Sequence, residues 1–200
     1  MQAQIFEKIY KDYLSQISGT DFDAVAEKLL IQVEGNETVI PFFGNSYRVS
    51  AKGIRDMSGK KPDHSICVVL FKYLLLCPGQ EPKEDDWVSY KDFRNAAPFA
   101  GAFVNNAERP IAANFSGRLD ELRKASRLLG GIPLKTELSY QLSMRFDALP
   151  KVPLFLLFND ADDDFPAQCK ILFERRAEKY LDMECLAMTG MALSVYLKRA

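Results

Sequence analysis

The fold of this chain is set by one run between residues 149 and 174, Leu149-Pro-Lys-Val-Pro-Leu-Phe-Leu-Leu-Phe-Asn-Asp-Ala-Asp-Asp-Asp-Phe-Pro-Ala-Gln-Cys-Lys-Ile-Leu-Phe-Glu174. Two prolines restrict the entry turn, and the apolar residues Leu154–Phe158 follow them. A run that is apolar on both faces predicts a strand inside a sheet, covered above and below. The carboxylates and Pro166 that come next predict the first turn of a helix, because both are favoured there.

The segment before this run predicts the partner strand. Residues 138–147 alternate between apolar and polar side chains, which is typical of a strand with one buried face and one solvated face. We expect this strand and Leu154–Phe158 to pair antiparallel.

The rest of the chain carries helical and hairpin patterns. Four helices are predicted before the apolar run. The first covers residues 5–17, and the second starts at a capping box formed by Thr20 and Asp23. The third, over 66–77, is expected to be the central buried helix, and the fourth ends at Gly130-Gly131. A hairpin is predicted over 39–52, with Pro41 on an edge strand because proline cannot donate to a ladder. The spacing from Ala177 to Val195 predicts a long C-terminal helix with Glu184 on its inward face.

Together these patterns predict one α+β domain over residues 1–200. A mixed or antiparallel sheet is expected to be covered by helices, with a long C-terminal helix among them. Residues 1–60 form a helical and hairpin N-terminal extension in this interpretation, and residues 63–200 form the core.

Composition excludes several classes of function. With 26 basic and 27 acidic residues the chain has no electrostatic footprint for nucleic acid, so we expect no nucleic-acid partner. The N-terminus lacks an export signal and the most apolar window is too short to cross a bilayer, so no membrane partner is expected. Four scattered cysteines are typical of reduced thiols in a cytoplasmic protein.

The best candidate metal site is the acidic corner after the apolar run. Asp160, Asp162, Asp163 and Asp164 bring four carboxylates into five positions, and hard cations such as calcium and magnesium prefer such oxygen ligands. The competing explanation is that these carboxylates cap the following helix.

Four further residues are candidates for ligand binding. Trp87 and Tyr90 could line a pocket for a flat ligand, Arg145 could bind an anion, and Glu184 would be a carboxylate turned inward. Each also has a structural explanation as core packing or as a solvated charge. His64 is the only histidine, which excludes multi-histidine metal sites.

Seven short motifs occur in a fixed order: Phe71-Lys-Tyr-Leu-Leu75, Trp87-Val-Ser-Tyr-Lys-Asp-Phe93, Leu128-Leu-Gly-Gly131, Leu149-Pro-Lys-Val-Pro153, Asp163-Asp-Phe-Pro-Ala167, Ile171-Leu-Phe173 and Tyr180-Leu-Asp-Met-Glu184. In this order they resemble the bacterial and archaeal family DUF3786, from about Ile66 to the end of the chain. The resemblance implies a cytoplasmic domain, mainly of anaerobes, that has no assigned reaction and no assigned catalytic residues.

Phosphate-loop, dinucleotide-binding, serine-hydrolase and zinc-protease motifs do not occur in the sequence. The leading hypothesis is therefore a non-catalytic module that binds a small molecule or a protein partner. The alternative is a divalent-cation-dependent enzyme of anaerobic metabolism that uses the corner Asp160–Asp164. The sequence identifies no cofactor, and self-association through an apolar edge strand is a third possibility.

Overall fold

A computed structural model describes residues 2–137 and 139–200, with side chains from residue 4 onward. It has an α+β fold with two antiparallel sheets and a long C-terminal helix, as predicted. In chain order the elements are α1 (Gln2–Ile17), α2 (Phe22–Leu29), β1 (Gln32–Glu34), β2 (Glu37–Phe42), β3 (Asn45–Ser50), β4 (Gly53–Asp56), α3 (His64–Leu75), β5 (Trp87–Ser89), α4 (Ala97–Phe103), α5 (Arg109–Phe115), α6 (Leu119–Leu128), β6 (Ile132–Pro133), β7 (Leu142–Leu149), β8 (Val152–Asn159), β9 (Gln168–Glu174) and α7 (Met183–Arg199).

The larger sheet has the strand order β5-β9-β8-β7-β6, so the predicted interior strand β8 lies at its centre. Residues 152–158 are all buried, because neighbouring strands flank them and side chains cover both faces. The predicted antiparallel pairing with β7 is confirmed, with Met144 opposite Leu156. The strand β7 begins at Leu142, later than the alternation predicts, and Leu138 lies outside the described residues.

The prediction of a helix after the acidic corner is wrong. Residues 168–174 form the strand β9, which pairs antiparallel with β8 and turns the corner into a hairpin loop. The missed signal is a period of two, since Gln168 and Lys170 are exposed while Cys169 and Ile171 are buried. The four aspartates therefore do not cap a helix.

The smaller sheet has the order β1-β2-β3-β4 and contains the predicted hairpin. Its strand β2 is interior, so the expectation that Pro41 lies on an edge strand is wrong. However, β1 pairs only with residues 37–39 of β2, so the missing N–H of Pro41 costs no hydrogen bond to β1.

The two sheets are joined at a bulge in β7. The register of β7 against β8 shifts between Asp147 and Leu149, which leaves Ala148 outside the ladder. The Ala148 carbonyl accepts a hydrogen bond from the Phe43 N–H at 2.9 Å. Phe43 and Gly44 form the hairpin turn between β2 and β3, with φ angles of 47° and 76°. The residue that bonds Ala148 is therefore a phenylalanine in the left-handed region of backbone conformation.

The predicted central helix is confirmed as α3, which is apolar around most of its circumference. Its Tyr73 is fully buried. The Tyr73 hydroxyl donates to the Leu29 carbonyl at 3.0 Å and accepts from the Lys151 N–H at 3.1 Å. One hydroxyl thus ties α3 to the end of α2 and to the turn between β7 and β8.

Helix starts differ from the expected positions. Asp21, not Thr20, caps α2, because its carboxylate accepts from the Ala24 N–H. The last helix starts at Met183 with Asp182 as its cap, after a separate 3₁₀ turn at 175–179. The inward face is therefore that of Leu186 and Leu193, and the prediction that Glu184 points inward is wrong because its side chain is exposed.

A close approach of α4 to α7 depends on Gly190. A β-carbon at this position would overlap the ring of Phe103, which packs directly on the α7 backbone.

No helix among the described residues is both long enough and apolar enough to span a membrane.

We predict that Gly190→Ala destabilises the protein although alanine is the better helix former. Overpacking against Phe103 costs about 1–3 kcal/mol, which exceeds the gain of about 1 kcal/mol in helix propensity. Gly101→Ala is the matched control, because nothing lies within 4 Å of the added carbon and this variant should become more stable. Urea unfolding measures both, and a stabilised Gly190→Ala variant would contradict the packing.

Removal of the Tyr73 hydroxyl provides a second test. Tyr73→Phe should lower the free energy of unfolding by about 1–3 kcal/mol, because two buried backbone groups lose their partner. Tyr140→Phe deletes the same atom where the described residues provide it with no hydrogen bond, so its unfolding free energy should stay unchanged. Equal losses in the two variants would show that the Tyr73 hydroxyl does not hold these segments together.

Candidate functional site

The two faces of the larger sheet differ in what covers them. One face carries Phe146, Leu154, Ile171 and Phe173 and joins the main hydrophobic core. On the other face Phe155 and Leu157 are also buried, at 3% and 1% exposure, but they lie outside that core. We call this second face the outer face, and it is where sequence candidates for a site come together.

Trp87 and Arg145 both lie on the outer face, on opposite sides of Phe155. The Trp87 ring centroid is 5.2 Å from that of Phe155. Arg145 is the direct cross-strand neighbour of Phe155 and forms an ion pair with Asp147 at 2.8 Å. The strand period places these residues together, since consecutive strands pair with side chains on a common face.

An open groove of about 420 Å³ runs beside Trp87 on this face. We call it the outer groove. The carboxylate of Asp92 lies in its lining, and the apolar and cationic side chains there are Trp87, Tyr140, Leu157, Lys170, Leu172 and Arg175. The aromatic and aliphatic members form its apolar wall. The two cations lie at its rim, where Lys170 is half exposed and Arg175 is held by Asp86 at 2.9 Å.

Sequence reasoning missed five of these six residues. Lys170 and Leu172 were assigned to a helix, although their alternation with Cys169, Ile171 and Phe173 is a strand signal. Tyr140 belongs to the connection between β6 and β7, and its position over the sheet follows from tertiary structure alone.

Tyr90 has a different place from the one predicted. Only 2% of it is exposed, its ring stacks on Phe103 at a centroid distance of 4.4 Å, and its hydroxyl donates to the Met183 carbonyl at 2.7 Å. Burial raises the pKa of Tyr90 to about 12. Its polar end is therefore used inside the core, and Tyr90 reaches only a neighbouring cavity of about 290 Å³.

Glu184 lies apart from this arrangement. It is exposed in the first turn of α7 and lines a separate open cavity with Asp182, Lys179 and Glu178. The structure thus brings Trp87 and Arg145 to one face and leaves Tyr90 in the core and Glu184 elsewhere.

A buried carboxylate that the sequence did not indicate lies at the edge of β9, in the lining of the neighbouring cavity that Tyr90 reaches. Glu108 is 5% exposed, and its Oε1 accepts from the Ile171 N–H at 3.1 Å. The strand β5 pairs only with residues 172–174 of β9, so the Ile171 N–H lies just past the end of β5. Glu108 replaces the missing strand partner, and its Oε2 lies 3.3 Å from the Lys170 ammonium.

Pro110 explains how Glu108 reaches this position. Proline has no N–H to donate to a carbonyl four residues earlier, and the chain between α4 and α5 widens into a π-helical turn at Val104–Glu108. The Arg109 N–H bonds the Val104 carbonyl, five residues back. Such turns occur often at functional sites, and this one orients Glu108 toward Lys170.

In the acidic corner Asp160–Asp164, backbone N–H groups already bond two of the four carboxylates. Asp160 accepts hydrogen bonds from the Gly117 and Ala161 N–H groups, and Asp162 accepts from the Asp164 and Phe165 N–H groups. Across residues 2–137 and 139–200, no group of three or more His, Cys, Asp or Glu side chains is arranged to hold a metal ion. The metal hypothesis for Asp160, Asp162, Asp163 and Asp164 stays a prediction without geometric support.

Burial shifts the pKa values of the four cysteines and of the single histidine. Burial raises the pKa of all four free thiols, to about 11 for Cys67, and for Cys169 the charge of Glu108 adds to the effect. Protonated thiols are poor nucleophiles. His64 stacks on Phe6 at 4.3 Å, and burial, followed by the charge of Lys61, lowers its pKa.

The chain belongs to the DUF3786 family, a domain of unknown function, whose model matches residues 21–195. The match begins well before Ile66, so it includes β1 to β4 and most of the segment predicted to be an extension. A search among curated proteins and a search among solved structures found no match to the chain.

We predict that Glu108 supports the edge of β9 as a hydrogen-bond acceptor. Glu108→Ala should lower the unfolding free energy by about 1–3 kcal/mol, because the buried Ile171 N–H loses its acceptor. Glu108→Gln keeps an oxygen at the same place and should lose clearly less. Urea denaturation at neutral pH distinguishes the two, and equal losses would assign the role to the charge instead.

Proposed function

We propose that this protein is a cytoplasmic binding module that holds a small planar anion in the outer groove without transforming it. The observation that carries the proposal is the apolar wall around the Trp87 ring with Lys170 and Arg175 at its rim. Aromatic side chains offer a large contact area to a flat ligand with little loss of conformational entropy. The cations select for negative charge at one end of that ligand.

The rim has donors left for such a ligand. A lysine ammonium carries three donors, and the only acceptor that approaches Lys170 within the described residues is Glu108. Asp86 engages Nε and Nη2 of Arg175, which leaves the Nη1 amino group. Glu108 also fixes the direction of Lys170, which lowers the entropy that binding has to remove.

Two features support binding rather than reaction. Burial raises the pKa of the thiols, and the single histidine contacts an aromatic ring and forms no ion pair with a carboxylate within the described residues. The alternative of a cation-dependent enzyme at Asp160–Asp164 rests on no observation beyond the sequence pattern.

Trp87 is the only tryptophan, so its fluorescence reports directly on the outer groove. We expect para-nitrobenzoate, a planar anion, to quench this fluorescence in a saturable manner. The neutral isostere para-nitrobenzamide should quench far less, because it gives the rim cations no negative charge to bind.

Lys170→Ala should weaken nitrobenzoate binding roughly tenfold, since a charge-assisted hydrogen bond contributes about 1.4 kcal/mol or more. Lys52→Ala is the control, because Lys52 is exposed in the turn between β3 and β4, on the smaller sheet. Unsaturable quenching, equal quenching by acid and amide, or unchanged affinity in Lys170→Ala would each count against the proposed site.

A further inference from the structure

The outward side of α7 carries an apolar stripe instead of a polar one. Met188, Met191 and Ala192 are partly exposed, and Val195 is 43% exposed. The spacing of Met188, Met191 and Val195 alternates between three and four residues, which is the spacing of a helix seam that packs against another helix.

The stripe continues into a shallow groove between α7 and the start of α3. Ile66, Ala192 and Tyr196 are among the residues that line this groove of about 200 Å³, and the exposed Asp63 and Arg199 line it as well. Methionine side chains adapt their shape to a facing surface, so Met188 and Met191 suit a contact that forms and dissociates.

Opposite charges mark the two ends of the stripe. Glu184 is exposed in the first turn of α7 and Arg199 is exposed in its last turn, both on the same side as Met188 and Val195. Neither residue forms an ion pair within the described part of the chain, although thirteen such pairs occur elsewhere in it.

We propose that two copies of this chain associate through the outward side of α7, with the two helices antiparallel. A two-fold axis between Met191 and Ala192 places Met188 opposite Val195 of the second copy. The same axis places Glu184 opposite Arg199 of the second copy and repeats that pair by symmetry.

Charge complementarity selects a second copy as the occupant. On α7 the stripe ends in the acidic Glu184 and the basic Arg199, so these two charges complement those of a second copy only when one helix is reversed. A parallel arrangement would set Glu184 against Glu184 and Arg199 against Arg199. Antiparallel helices also oppose their dipoles, which places the negative end of each helix near the positive end of the other.

Sedimentation velocity over a range of protein concentrations tests this proposal. The unmodified chain should pass reversibly from monomer to dimer as concentration rises. Val195→Asp should remain monomeric, because it introduces a charge at an apolar contact that the symmetry repeats. Val195 is exposed, so circular dichroism and thermal unfolding should show that this variant folds normally.

A charge exchange tests the antiparallel register. Glu184→Arg and Arg199→Glu should each raise the dimer dissociation constant roughly tenfold, because each makes two symmetric pairs repulsive. The double variant Glu184→Arg/Arg199→Glu should restore the affinity. Glu27→Arg on α2 is the control for net charge and should leave dimerisation unchanged.

A monomer at every concentration would overturn the proposal, and so would a dimer that Val195→Asp leaves intact. A dimer weakened by both single exchanges but not restored in the double variant would overturn the antiparallel register. Flotation of a monomeric chain with phosphatidylcholine vesicles would assign the stripe to a lipid surface instead.

Discussion

The buried hydroxyl of Tyr73 is the constraint on which the arrangement of this molecule depends. It bonds a carbonyl at the end of α2 and an N–H in the turn between β7 and β8, two segments more than a hundred residues apart. Both backbone groups lack a partner in regular secondary structure, and a buried unpaired group is costly. The α3 helix therefore holds the end of α2 and the turn between β7 and β8 in place, and α7 also packs on α3.

The way in which the sheets are joined explains where a site can form. Helices cover one face of the larger sheet, and the smaller sheet attaches at its bulge, through Ala148. On the outer face Trp87 packs on Phe155 and Lys170 lies opposite Leu157, and both of these apolar residues are buried. A face closed by Trp87, Tyr140 and Lys170 leaves space among their side chains, and that space is the outer groove.

The predictions succeeded where one signal decided the structure. The run Leu154–Phe158 is apolar on both faces, so only a strand inside the sheet buries all of its side chains. It lies in β8, the central strand of the larger sheet. They failed where two periods competed over a short segment. Residues 168–174 followed proline and aspartates that suit a helix start, yet their alternation gained more by extending the sheet with β9. In α7 a stripe of methionine and valine resembled a core face, although a second apolar stripe of the same helix is the buried one.

The sequence by itself determined the α+β class, the interior strand, the β7–β8 pairing and the central helix. Each of these follows from the spacing of apolar residues or from a proline that restricts the nearby backbone, and both signals can be read from a short segment of chain. Trp87 and Arg145 were also visible as candidates, since their residue types carry chemistry wherever they lie. Only the tertiary structure decided that they share one face, that Lys170 joins them, and that Glu108 of the neighbouring cavity pairs with Lys170. Those relations depend on strand order and on the π-helical turn, which bring distant residues together by packing that no local pattern encodes.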